Sequence, residues 1–482
     1  MSQSSTVISA LMEAIFALII SLFFPLLLTL YAFRRRPENN PEFPPGSFGW
    51  PILGETIGFL FGKPEKFVHD RMKKYSPEIF KTMILGEKTA VICGPNGHKF
   101  LFSNEQKLFT AFRPHATQRL FRSYQPKTPP PQPQLETVRH EEAAMIRQPG
   151  FLKPEALARF LGNMDSTARE LLRDHFEGRT EVRACPLAKS FTLALSGRFF
   201  LGIDNPDRIT RLISYFDDVT LGMHSMVLNF PGTAFYRANK AAAAIREELR
   251  RVVQEKKEAM QSGAAMRDIL SHMMAARMPE NEAVDKIMGL IVAGYSTVAT
   301  TITFLMKYVG GRPEIYRRIR AEQMEIAGRK KEGEGLEWED MQKMKYSWNV
   351  ICETMRLTPP LQGTFREALT DFTYAGYTIP RGWKVYWTVS STNNNSKYFK
   401  DPEKFDPDRY ERGEGSAPYT YVPFGGGPRT CPGKEYARLA ILAFLHNVVK
   451  KYQWEVIEPK EKVVGDMMPT PQNGLPIRLY HI

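Results

Sequence analysis

Residues 423–433 constrain this chain more than any other segment. They read Pro-Phe-Gly-Gly-Gly-Pro-Arg-Thr-Cys-Pro-Gly, and a helical pattern opens at once with Lys434. Gly425, Gly426 and Gly427 free the backbone for a path that side chains would block, with N–H groups turned toward a sulfur. Cys431 stands at the threshold of a helix N-terminus, two residues after Arg429. Both surroundings favour a thiolate over a thiol, and a thiolate is a metal ligand. Arg429 is placed to pair with a carboxylate, and Gly433 lets the following helix pass close to a flat ring. The competing reading is a glycine-rich turn around an inert cysteine, and the glycines alone do not separate the two.

The other cysteines (Cys93, Cys185 and Cys352) are scattered and form no Cys-x-x-Cys pair. Neither a disulfide framework nor a thiolate zinc site is expected, and a reducing compartment fits. With 482 residues, 43% apolar and 24% charged, the chain can bury a large core and is not a disordered one. A net charge of +13 admits nucleic acid, an anionic membrane or an acidic protein as partner. Lys and Arg are spread along the whole length rather than gathered in an arm. No nucleic-acid partner is expected, and a basic solvated surface accounts for the charge equally well.

From Ala14 to Phe33 runs AIFALIISLFFPLLLTLYAF, uncharged and mostly apolar. That length matches a helix crossing roughly 30 Å of hydrocarbon at about 1.5 Å per residue. Arg34, Arg35 and Arg36 follow, so the positive-inside rule leaves the remainder cytosolic. No basic n-region and no small-residue cleavage site point to a removed signal peptide. Three parts are expected: an anchor helix over 1–33, a basic stop and stiff proline-rich hinge over 34–51, and one catalytic body over 52–482.

Within that body, residues 80–94 predict a hairpin around Gly86-Glu87-Lys88, and 373–389 a second strand region turning at Pro380-Arg381-Gly382. Long helical patterns lie between, including 241–260 and 339–357. The segment 123–134, SYQPKTPPPQPQ, must be a loop. The class expected is mainly α with small β-sheets.

Glu353 and Arg356 lie three apart on an amphipathic helix, so they can pair. Tyr346, Trp348, Val350, Ile351 and Leu357 surround them, which suggests burial, where an unpaired charge is very costly. Together with Phe424, Gly427, Arg429, Cys431 and Gly433, which fit Phe-x-x-Gly-x-Arg-x-Cys-x-Gly, these residues resemble the cytochrome P-450 superfamily. The resemblance implies that Cys431 is the axial ligand of a haem b iron. It also implies that Arg409, in FDPDRY, joins Glu353 and Arg356 in a structural trio, and that Arg366 and Arg147 bind haem propionates. Arg147 is the weaker match, because Ala143 stands where relatives carry a tryptophan. The segments FLKPEAL, KMKYSWNV, LTPPLQG and the ending GLPIRLY are similar to plant triterpenoid oxidases of the beta-amyrin 28-oxidase kind, and in part to taxane hydroxylases.

The resemblance places residues 286–310 across the distal face of the haem, although their β-branched side chains favour strand on propensity. Ala293 and Gly294 clear space there, and Thr297 supplies a hydroxyl. The family's acid before this threonine is replaced by Ser296. Oxygen activation consumes protons, which a carboxylate relays readily and a serine only through hydrogen bonds. Ser296, Thr297 and water form the expected relay, with slow or altered turnover as the other possibility. Ala293, Gly294, Leu361 and residues 229–235 are pocket candidates, each as readily explained by packing.

The function implied is a monooxygenase of the endoplasmic reticulum membrane acting on a bulky apolar terpenoid. Its electrons would come from NADPH through a separate NADPH–cytochrome reductase, since the chain carries no flavin or nicotinamide fingerprint. A haem-thiolate isomerase or dehydratase, and a haem-binding protein with little catalysis, are the rival classes.

Overall fold

A computed structural model describes residues 41–122 and 152–482, apart from 52, 264–267, 332 and 466–467, together with Ser21, Phe23 and Phe24. Most of the apolar stretch at 14–33, the proline-rich loop at 123–134, Ala143 and Arg147 lie outside the described residues.

The β1–β2 hairpin, Ile79–Ile84 with Glu87–Ile92, pairs Ile84 with Glu87, so only Leu85 and Gly86 form the turn. Both have positive φ, 55° and 80°, the tight turn whose twist matches that of the flanking strands. The turn thus sits one residue earlier than its glycine suggests. β3 (Phe109–Phe112) lies in the same sheet, whereas the short β4 (Glu181–Arg183) lies apart, paired with the last strand, Pro476–His481. β5 (Gly363–Ala368) and β8 (Lys384–Thr388) complete the larger sheet, of order β1-β2-β8-β5-β3. The strand region predicted over 373–389 divides at its Pro-Arg-Gly turn. β6 (Phe372–Tyr374) and β7 (Tyr377–Ile379) pair with each other, while β8 crosses into the larger sheet.

Residues 43–48 of the expected hinge are stitched to this sheet. Lys81 N–H donates to the Pro45 carbonyl at 2.8 Å, and Phe43 and Phe48 pack on Trp383. That stretch belongs to the body rather than to a free spacer.

Helices form the other side of the molecule. The longest, Glu280–Gly310, is continuous despite its β-branched content. The hydroxyls of Ser296, Thr297, Thr301 and Thr303 each donate to the carbonyl four residues earlier, so these side chains stay satisfied inside the helix. Although long and apolar enough to span a bilayer, it is mostly buried, as a core helix is. The pattern over 339–357 breaks at Met344, whose ψ of 54° separates Trp338–Lys343 from Lys345–Leu357.

His446, buried on the Lys434–Lys451 helix, ties it to the Pro313–Ala327 helix. Its Nδ1 lies 2.8 Å from Gln323 Oε1, and its Nε2 lies 3.2 Å from Lys450 Nζ. Since Lys450 only donates, Nε2 accepts and Nδ1 carries the proton, so the ring is neutral. Burial, helped by the Lys450 charge, pushes its pKa down to about 3 from 6.5. Below pH 6.5 the unfolded chain takes up a proton that the folded chain refuses. This stability is full above pH 6.5 and is lost as pH falls toward 3, at up to about 1.4 kcal/mol per pH unit. Thermal unfolding followed between pH 7 and 4.5 should show the decline, and His446→Gln should flatten it. An equally steep variant would place the titration elsewhere.

Candidate active site

The loop ahead of the Lys434–Lys451 helix is closed by the Cys431 N–H, which donates to the Phe424 carbonyl at 2.9 Å, with a short turn at Gly427–Arg429. Its glycines are required by close approach to the Gly94–Ser103 helix. A Cβ at Gly426 would sit 2.4 Å from the Phe102 ring, and one at Gly427 2.5 Å from the Phe102 carbonyl oxygen. Gly427 also has φ +63°. Cys431 is exposed, whereas Cys93, Cys185 and Cys352 are buried. The surrounding protein raises the Cys431 thiol above its ordinary value, against a hydrogen bond from the Gly433 backbone. The helix end alone therefore does not make a thiolate at this position.

The chain leading into this loop is held by buried charge. Arg356 donates from Nε and Nη2 to the two Glu353 oxygens, each at 2.8 Å, and Arg409 Nε donates to Glu353 Oε1 at 2.9 Å. Glu353, Arg356 and Arg409 are all essentially inaccessible. The trio expected from sequence is therefore assembled. Its remaining N–H groups reach the carbonyls of Asn393, Lys400, Pro402 and Lys404.

In the middle of the Glu280–Gly310 helix, between the buried pairs Ile291–Val292 and Thr301–Ile302, Ala293 is exposed and Gly294, Thr297 and Thr300 are half-buried. They share one face at helical spacing and mark a recess lined by small side chains. A Cβ added at Gly294 would meet Phe200 at 3.4 Å, an ordinary contact, so packing by itself does not demand glycine there. Ser296 is buried and its hydroxyl donates to the Val292 carbonyl at 2.9 Å, while Thr297 lies on the open stripe. The structure therefore does not put the two hydroxyls on one face. Leu361 is partly buried against the cluster of Phe59, Phe67 and Phe365. In the 229–235 segment, Thr233 caps the Ala234–Gln261 helix, Phe235 is in the core and Phe230 is exposed.

Two features were not foreseen. Tyr295 donates to Asp217 at 2.8 Å, and Lys189 pairs with the other oxygen of Asp217 at 2.7 Å. Separately, Arg366, one of the arginines expected to bind a propionate, and Arg429, expected to pair with a carboxylate, meet one buried acid. Arg366 Nε lies 3.0 and 2.8 Å from the oxygens of Glu105. Arg429 Nε lies 2.6 Å from Glu105 Oε1, an ion pair without hydrogen-bond alignment. Burial pushes the Arg366 guanidinium below its ordinary range, with Glu105 opposing and Arg429 adding to the fall.

Residues 44–480 match the cytochrome P-450 family. The chain belongs to the cytochrome P-450 family. It is 47% identical over 476 residues to a beta-amyrin 28-monooxygenase of Vitis vinifera, covering 96% of this chain and 97% of the relative. A beta-amyrin 28-monooxygenase of Saponaria officinalis is 49% identical over 451 residues, covering 90% and 91%. Among solved structures, the retinoic-acid-bound cyanobacterial CYP120A1 superposes with a TM-score of 0.80 at 29% identity, covering 91% of this chain and 99% of that one. This cytochrome P-450 is an enzyme, a monooxygenase, and the fold read from the sequence, mostly helical with small sheets, is the family's. Membership brings a haem iron, dioxygen, electrons from a redox partner and a hydrophobic substrate. The residues present fit that group: one accessible sulfur, two convergent arginines and a helix face stripped of bulk.

Glu353→Gln removes the one negative charge between Arg356 and Arg409. The expected cost is about 3–5 kcal/mol, the range for breaking a buried ion pair. Denaturant melts of the variant should show it, and a loss below about 1 kcal/mol would mean that Glu414, 2.6 Å from Arg409, suffices.

Proposed function

We propose that this cytochrome P-450 oxidises a pentacyclic triterpene such as beta-amyrin, and that it does so as a haem b enzyme anchored in the endoplasmic reticulum membrane. The observation that carries the substrate class is the similarity, at 47% and 49% identity over almost the full length, to relatives named beta-amyrin 28-monooxygenases.

In this reading, residues 1–33 form the anchor, a short basic stop follows, and the remainder faces the cytosol. Trp50, Ile57, Leu228 and Phe230 are exposed apolar side chains, which supports contact with lipid. NADPH is the electron source, through NADPH–cytochrome reductase; the +13 net charge suits an acidic flavoprotein partner.

When bound, the haem supplies the activation of dioxygen that lets one oxygen atom enter an unactivated C–H bond. The chain's own residues set the conditions. Cys431 holds the iron and lends it electron density. Arg366, Arg429 and Arg147 take the cofactor's carboxylates, and Phe424 and Gly433 flank the sulfur. Ala293, Gly294 and Leu361 shape the substrate's space. The Thr297 hydroxyl hands a proton into the recess, and Ser296 supports it from within the helix.

Membranes carrying the chain, a reductase, NADPH and labelled oxygen test the reading against a panel of triterpenes and a taxane-type diterpene. Labelled triterpene product is expected. Label only in the diterpene would redirect the substrate class, and unlabelled rearranged product would mark an isomerase.

Ser296→Asp restores an acid ahead of Thr297. It should raise the ratio of product to released hydrogen peroxide; an unchanged ratio would show that proton delivery is not limiting. Some stability should be lost, because position 296 is buried.

A further inference from the structure

Glu105 is a buried carboxylate that the proposed chemistry does not use. It lies in the loop just after the Gly94–Ser103 helix, where Lys107 and Leu108 N–H groups return to the Asn104 carbonyl and Gln106 adopts φ 70°. This tight loop leads into β3, which pairs with β5 so that Ala111 faces Arg366. The same helix end brings Phe102 into the closest contacts that Gly426 and Gly427 make. Two separate pieces of structure, strand β5 and the cysteine loop, are thus fixed to the frame that carries Glu105.

The consequence is a three-residue cluster. Glu105 has a side chain only 1% accessible; it accepts hydrogen bonds from Arg366 Nε and pairs by charge, without a hydrogen bond, with Arg429 Nε. Arg366 spends Nη1 on Thr364 Oγ1 at 2.9 Å and the Phe365 carbonyl at 3.0 Å. The terminal nitrogens of Arg429 take no part in this pair, and its side chain keeps 23% exposure. Among the described residues, two guanidiniums against one carboxylate leave one positive charge uncompensated. A carboxylate ligand meets that charge already oriented, instead of ordering two flexible side chains on arrival.

We propose that Glu105 is a positioning residue for the cofactor, one that holds Arg366 and Arg429 by their Nε edges so that their remaining donors serve the haem carboxylates. The inference rests on the haem reading above and goes beyond it, because Glu105 touches neither cofactor nor substrate. Removing its charge loosens the arginines and leaves the region more positive. Haem then binds less tightly, and the reduced iron, which carries less positive charge, is favoured.

The test uses the full chain loaded with haem in detergent. Haem loss to excess apomyoglobin and the haem reduction potential are measured for wild type, Glu105→Gln and Glu105→Asp, with circular dichroism as the check on folding. Folded Glu105→Gln should lose haem about tenfold faster or more, the usual effect of removing an outer partner of a bound group. Its potential should move positive, and Glu105→Asp should fall between it and wild type. Wild-type haem loss and potential in folded Glu105→Gln would overturn the proposal. So would faster loss at an unchanged potential, which assigns Glu105 to packing alone, or failure of both variants to fold, which makes it a folding residue. If the wild-type chain takes up no thiolate-ligated haem, the haem reading itself fails, and this inference falls with it.

Discussion

The rest of the site depends on one carboxylate that never reaches solvent. Glu353 accepts from Arg356, from Arg409 and from the backbone N–H of Asp406, so neither of its oxygens is left without a partner. Desolvating three charges is expensive, and the arrangement persists because the rest of each guanidinium is satisfied as well. Arg356 and Arg409 spend their other donors on carbonyls between residues 393 and 404, a stretch with little regular structure of its own. Charge here takes the role that a ladder of backbone hydrogen bonds has elsewhere. It shapes a meander, and the meander carries the chain into the loop that presents Cys431.

A second acid between two arginines repeats the device with a different balance. Around Glu353, the carboxylate of Glu414 also meets Arg409 and in turn pairs with the exposed Arg412, so each buried guanidinium has an acid of its own. Around Glu105 one acid faces two guanidiniums, and one of these keeps some exposure. The first cluster is buried at Glu353, Arg356 and Arg409, and its carboxylates match its guanidiniums. The second has more guanidinium than carboxylate among the described residues, and Arg429 keeps some exposure. Both are held on elements whose backbones are already fixed.

Legibility in the sequence followed the range of the interaction. The β1–β2 hairpin and the pairing of Glu353 with Arg356 depend on neighbours a few residues away and could be read, whereas the helix expected over 286–310 was legible only through the family resemblance, because its β-branched residues favour strand locally. The break at Met344 could not, because the apolar period runs straight through it. Residues 43–48 looked like a spacer because prolines mark the end of one element, not what the chain packs against next. Glu105 carried no signal at all. In Ser-Asn-Glu-Gln-Lys it resembles a solvated turn, and its partners Arg366 and Arg429 lie hundreds of residues away. Tyr295 and Asp217 escaped for the same reason, since they are joined only by the folding of one helix onto another.

The helix over the recess shows why its departure at residue 296 is tolerable. Successive residues on a helix point about 100° apart, so positions 296 and 297 serve different faces. Thr297 faces the recess, whereas Ser296 closes a hydrogen bond within the helix and packs inward. In the same turn, Tyr295 already receives the charge of Asp217 through its hydroxyl, with Lys189 behind it. A carboxylate at 296 would carry a desolvation cost, because that position is buried, and a like-charge cost toward the half-buried Asp217. A serine avoids both costs and gives up a titratable proton donor. At position 296 the helix has favoured packing over a titratable group.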